Sequence, residues 1–190
     1  MNSQRRLKVG DKVPDFWTRD MYGAEIDSRN FKKTTLVVFL RYAGCPFCSL
    51  AIYRLAREHK LLKKSGCDVV AFVQSTEQNI EEFLLPQQPN KPPFPVVSDV
   101  DQDIYQLFGV RSSAMKAAKY TAKNASHWID AVVRKRFKQT SFDGSAFLVP
   151  AYFLVDEYGT VQLANYDASF YEDDVFIPVY ELLNFGPPVR

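Results

Sequence analysis

The chain reads as an α/β fold built on a strand–helix–strand unit with parallel strands, and three observations predict it. Leu36, Val37, Val38, Phe39 and Leu40 form an apolar run without polar alternation, the pattern of a strand buried on both faces. From Pro46 the period changes. Phe47, Leu50, Ala51, Leu55, Ala56, Leu61 and Leu62 recur every three or four residues, with Arg54, Arg57, Glu58, Lys60, Lys63 and Lys64 between them, as an amphipathic helix requires. A second apolar run, Cys67 to Gln74, follows directly, and two strands joined by one helical crossover lie parallel.

The other elements follow in order. Residues 1–8 read as an arm, and Tyr22-Gly23 lies between two short alternating runs as the turn of an N-terminal hairpin. Lys63, Lys64, Ser65 and Gly66 stop the central helix. Ser75-Thr76-Glu77-Gln78 resembles a capping box opening a short helix over Asn79–Leu85, which ends near Pro86. A proline-rich connection leads to a strand at Phe94–Ser98, a helix at Asp101–Phe108 and a stop at Gly109. Residues 112–145 read as a helical insertion whose apolar side holds Met115, Ala118, Ile129, Val132 and Val133, with His127 and Trp128 packed there. Pro150 would cost a central strand a ladder bond, so the strand starts after it, at Ala151–Val155. Tyr158-Gly159 turns the chain into a partner strand, Val161–Asn165. A closing helix spans Val175–Phe185, capped by Asp173 or Asp174.

Composition bounds the function. A hydrophobic share of 46% over 190 residues suits one globular domain spanning 1–190. The basic N-terminus lacks an apolar h-region, and no run approaches about 18 apolar residues, so neither secretion nor membrane insertion is expected. Three cysteines make an odd number, unsuited to a disulfide framework and suited to a reducing cytoplasm. The net charge of +2 hides an asymmetry: Arg111–Lys138 holds eight Lys/Arg against one acid, and Ala151–Arg190 seven acids against one Arg. The basic segment reads as a solvated face. It lacks the dense cationic run or stacking aromatics that nucleic acid would need.

The chemistry lies in Cys45-Pro46-Phe47-Cys48, where the first strand turns into the helix. Proline is favoured at the first helical position, which places Cys45 at the N-cap. Free amides of the first helical turn and the positive end of the helix dipole favour a thiolate there, so Cys45 is the candidate nucleophile. Cys48, inside the first turn, can close a disulfide with it or attack a mixed disulfide. Arg41, at the end of the strand, is the candidate cation beside the thiolate. Zinc is the competing reading of a C-x-x-C pair, but a structural zinc needs about four ligands, and beyond the pair only Cys67, His59 and His127 offer sulfur or imidazole. Cys67, at the opposite end of its strand, reads as structural, and both histidines as packing or surface residues. Two inert buried thiols are the third reading. No metal or cofactor is expected.

Four stretches, GDKVPDF, the strand with its CPFC turn, VVAFVQST and VPAYFLVDEYGTV, together resemble the thioredoxin superfamily, and within it the peroxiredoxin-like alkyl hydroperoxide reductase and thiol-specific antioxidant group. The resemblance implies a thioredoxin-like fold with a mixed sheet flanked by helices, the late hairpin antiparallel to the core unit. It also implies a cis Val149–Pro150 bond facing the cysteine turn. An antioxidant dithiol acting on a peroxide or a protein disulfide follows from it, reset by thioredoxin, glutaredoxin or glutathione, and it leaves room for a homodimer.

Two departures matter. Matched to the peroxiredoxin pattern, Cys48 falls at the peroxidatic position, Cys45 where a hydroxyl is usual and Arg41 where a proline is usual. Pro150 stands where the family keeps a late arginine. Both move the site towards the thioredoxin arrangement, in which Cys45 attacks. The alternative from another class is a non-catalytic thioredoxin-fold binding module that holds an anionic or protein partner on its basic insertion.

Overall fold

The computed structural model describes residues 5–123, 129–140, 142–166, 168–170 and 174–184. A two-stranded hairpin opens it: β1 (Trp17–Arg19) and β2 (Glu25–Asp27) pair antiparallel. Asp20 accepts the amides of Tyr22 and Ala24 on its carboxylate, and Gly23 takes φ +83°, a left-handed conformation for which glycine has no steric penalty.

Five strands form the main sheet, in the order β5-β4-β3-β6-β7. β3 (Thr35–Phe39), β4 (Asp68–Val73) and β5 (Val96–Ser98) run parallel; β6 (Ala151–Val155) runs antiparallel to β3, and β7 (Val161–Asn165) antiparallel to β6. The expected mixed sheet is therefore present. Every residue of β3 and β6 is buried, which explains their apolar runs without alternation.

Successive side chains point to opposite faces. Leu36, Val38, Val69, Ala71 and Val73 pack with Leu50, Ala51, Leu55 and Leu62 of α1 (Pro46–Lys64) in one core. Val37, Phe39, Val70, Phe72 and Phe153 pack on the other face with Ile104 and Tyr105 of α3 (Asp103–Leu107) and with Phe108. Phe39 touches four rings there: Phe72, Tyr105, Phe108 and Phe153.

Three expectations are corrected. Thr76 alone caps α2 (Glu77–Asn79), accepting the Asn79 amide, and the chain continues as a π-turn over Ile80–Leu84. Ser75 is excluded from a capping role because its hydroxyl is engaged by Ala43 and Asp143.

The insertion is helical only over α4 (Ala114–Lys123) and a π-turn at Asp130–Arg134. It buries Ala117, Ala131 and Phe137, whereas Met115, Ile129 and Val133 stand 68%, 54% and 63% exposed. The 130–134 turn packs on α1, and buried Ala131 lets the backbones approach while the large side chains turn outward. His127 and Trp128 lie outside the described residues.

The closing helix α5 is shorter than expected, Ile177–Leu182, with Phe176 at its N-cap. Asp174 contributes its carbonyl to the Ile177 amide, and Asp173 and Phe185 lie outside the described residues.

Candidate active site

The ladder between β3 and β4 continues past Phe39. Leu40 donates its amide to the Phe72 carbonyl, and the Arg41 carbonyl accepts the Gln74 amide at 2.8 Å. The backbone of Arg41 is thus held in sheet register at the carboxyl end of β3, the edge at which open α/β sheets place their chemistry. The chain then turns through Tyr42–Gly44. Cys45 is the N-cap of α1 with extended backbone (φ −88°, ψ 120°), and Pro46 follows at the start of the helix.

Cys45 and Cys48 are free thiols, each 1% exposed. The Cys48 and Ser49 amides donate to the Cys45 carbonyl at 2.9 and 3.1 Å; the Cys48 and Phe47 amides stand near Cys45 Sγ without closing a full N-cap hydrogen bond to it. Arg41 Nη2 donates to Cys45 Sγ at 3.0 Å, while the Arg41 backbone amide donates to Cys48 Sγ at 3.3 Å. One residue thus holds both sulfurs, one through its guanidinium and the other through its main chain. The guanidinium lies 5.5 Å from the Phe47 ring centroid, and its Nη1 donates to the Ala146 carbonyl at 3.4 Å.

This arrangement separates the two thiols electrically. Burial pushes the Cys45 thiol up, but the hydrogen bond from Cys48, the Arg41 charge and the nearby amides of Cys48 and Phe47 outweigh it and lower it to about 6. Burial raises Cys48 well above the ordinary thiol range, and the hydrogen bond to Cys45 and its charge add to that. Neighbouring Tyr42 is pushed up to about 12, chiefly by burial and then by Cys45. The site thus favours the anion on Cys45 and the proton on Cys48.

The end of the insertion covers this turn. Thr140 donates its amide to the Gly44 carbonyl at 3.1 Å, and the Phe142 ring lies 5.3 Å from the Tyr42 ring. Ala43 donates its amide to Ser75 Oγ (2.8 Å), Ser75 donates to Asp143 Oδ1 (2.9 Å), and Asn79 donates to Asp143 Oδ2 (2.6 Å). Ser145 donates its amide to Gln74 Oε1 at 3.2 Å.

Of the residues anticipated from sequence, Cys45, Cys48 and Arg41 are brought together. Pro150 is at the same edge of the sheet, since Ala151 pairs with Phe39, but its expected cis bond is corrected: no cis peptide occurs among the described residues. An X–Pro amide favours trans by about 0.5–1 kcal/mol unless its surroundings demand otherwise, and the Pro150 carbonyl is engaged by the Ala168 amide at 2.9 Å. Cys67 and His59 lie at the other end of the sheet. Burial raises Cys67 to about 12, and His59 packs against Phe94, their rings 5.8 Å apart.

Sequence reasoning missed Asp143, Gly144 and Gln74. Asp143-Gly144 carries a turn signal, but nothing in its spacing points to Ser75 or Tyr42.

A dithiol at a strand-to-helix turn, on a five-stranded mixed sheet with helices on both faces, defines a thioredoxin-like fold. Residues 9–164 match the model of the AhpC/TSA family, and the chain belongs to that family. The fold is similar to that of peroxidoxin BcpB from Mycobacterium tuberculosis (TM-score 0.67, 15% identity, 94% of this chain and 97% of that one). It is also similar to peroxiredoxin Q from Xanthomonas campestris (0.62, 15%, 89% of each). The thioredoxin domain of a thiol-disulfide oxidoreductase from Bacteroides vulgatus matches too (0.54, 16%, 94% and 99%). No curated protein matches the chain. Family membership supports a thiol-based redox role. Among the described residues no helix is long and apolar enough to cross a membrane.

Proposed function

We propose that the chain is a thiol-dependent oxidoreductase in which the Cys45 thiolate attacks and Cys48 resolves. The observation that carries this reading is the Arg41 guanidinium 3.0 Å from Cys45 Sγ, which favours the anion on one sulfur while its neighbour keeps its proton. With a peroxide ROOH, the thiolate sulfur takes the terminal oxygen and the O–O bond breaks. ROH leaves after protonation, and Cys45 becomes a sulfenic acid. The Cys48 thiol then attacks that sulfur; the S–S bond forms and water departs with the Cys48 proton. The sum is two thiols plus ROOH giving a disulfide, ROH and water. Thioredoxin, glutaredoxin or glutathione would return the two electrons by thiol–disulfide exchange, and the odd number of cysteines fits a reducing cytoplasm.

Single-turnover peroxide consumption by the reduced protein tests the assignment. Cys48→Ser is expected to consume one equivalent and stop at the sulfenic acid, and Cys45→Ser to consume none. The reverse pattern would transfer the attacking role to Cys48, the position the peroxiredoxin pattern favours.

A further inference from the structure

We infer that Thr140 and Phe142–Phe147 form a specificity-determining strap that admits small peroxides to the Cys45 thiolate of the reduced protein and excludes protein disulfides from it. The inference rests on Cys45 as the reacting sulfur and adds the class of substrate.

Three observations carry it. The thiols are sealed, each 1% exposed, although a cysteine at the mouth of a strand-to-helix turn would otherwise face solvent. The sulfurs lie in the core shared by β3 and α1, and the end of the insertion packs on the residues around them. Thr140 closes on Gly44, Phe142 on Tyr42, Asp143 on Ser75 and Asn79, and Ala146 on the guanidinium that holds the Cys45 sulfur. A disulfide carried on a protein brings its flanking chain up to this turn, where the strap already lies. A small peroxide brings no such chain.

The second observation is how the strap is held. Phe142 and Phe147 are 69% and 57% exposed, so the segment is fastened chiefly by hydrogen bonds and little by buried apolar surface. Such segments open locally at far lower cost than a core element. Gln74, whose Oε1 accepts the Ser145 amide, keeps a buried Nε2 without a partner among the described residues; that unmet donor further favours opening.

The third observation is Gly144, which sits so close to the end of β4 that an added Cβ would stand 2.8 Å from the Gln74 carbonyl and 2.9 Å from Tyr42 Cβ. The strap fits there without a side chain. Its two ends also meet: Ser113 donates its amide to the Phe147 carbonyl at 2.8 Å, and Ser112 its hydroxyl to Ser145 Oγ at 2.7 Å. The insertion therefore leaves and returns at one place, with its final turn over the dithiol.

The test is alkylation of Cys45 in the reduced full chain by iodoacetamide and by a 5-kDa polyethylene-glycol maleimide, each rate normalised to that on glutathione and the site assigned by peptide mapping. The bulky reagent is expected to lag the small one by at least about a hundredfold, as local opening has to precede its reaction. Asp143→Ala removes both carboxylate contacts and is expected to raise the bulky rate about 30-fold. Gly144→Ala wedges the strap away and is expected to act in the same direction. Cys67, buried at the other end of the sheet, must stay unlabelled; if a variant unfolds, Asn79→Ala, which removes one contact only, replaces it. Equal normalised rates in the wild type, or a ratio that none of the variants moves, overturns the strap. Peroxide reduction that survives Cys45→Ser overturns Cys45 as the attacking sulfur instead, and the alkylation ratio still reports on the strap.

Discussion

Replacing Arg41 by methionine isolates its charge, because methionine retains a flexible apolar stem of similar reach. In the native site burial alone drives the Cys45 thiol up; the bond from Cys48 and the guanidinium, whose nitrogen stands 3.0 Å from the sulfur, bring it down to about 6. An opposite charge at such range moves a titration by about 1–3 pH units. Arg41→Met therefore takes the Cys45 midpoint to about 7–9, and the thiolate share at pH 7 falls from about nine-tenths to between about one-half and one-hundredth. The rate of Cys45 alkylation by iodoacetamide against pH, followed by mass spectrometry, gives the midpoint directly. Arg41→Lys, which keeps a charge without the planar fork, is expected to fall between the two. A midpoint in Arg41→Met within about 0.3 of the wild type would refute the assignment of the cation, given how large an effect this geometry requires.

The reduced protein is also expected to gain stability as pH rises from about 6 to about 8.5. The folded Cys45 titrates near 6 and an unfolded thiol near about 8.5, so in that window the unfolded chain binds the extra proton. The contribution is full above about 8.5 and is lost as pH falls through 6; its size is on the order of 3 kcal/mol. Urea unfolding of wild type and Cys45→Ser at both pH values measures it, and an unchanged difference between the two proteins would contradict it. At the root of the site, the fully buried Tyr105 hydroxyl lies 2.6 Å from the Leu40 carbonyl and 2.8 Å from the Phe72 carbonyl. Phe72 also receives the Leu40 amide, so Tyr105→Phe orphans chiefly the Leu40 carbonyl and is expected to cost about 1–3 kcal/mol with an unchanged denaturant slope. A loss below about 0.5 kcal/mol would show that this carbonyl finds another partner.

The strand–helix–strand unit was legible because its signals are local. An apolar run of five residues, a change of period at Pro46 and a glycine after Lys64 each act within a few residues of chain, and β3, α1 and β4 lie within a residue or two of where they were placed. The position of Cys45 at the helix start was legible for the same reason: proline at the first helical position fixes the cap from its own geometry. Arg41 could be nominated, but its two roles, guanidinium on one sulfur and amide on the other, depend on how the chain bends after leaving the sheet.

What lies over the site could not be read. Asp143 meets Ser75 and Asn79 across 68 and 64 residues, and no spacing rule spans such an interval. The same holds for the insertion, where periodicity pointed to Met115, Ile129 and Val133 and the fold buried Ala117, Ala131 and Phe137; the space left by α1, not the hydrophobicity of the segment, chose the side chains. The amino-acid order by itself determined a buried strand delivering two cysteines to the positive end of a helix, since that needs only short-range sterics and the helix dipole. Only the tertiary structure decided that those cysteines are enclosed, which cation faces which sulfur, and that the closing segment is the far end of an insertion, because each depends on the packing of segments distant in sequence.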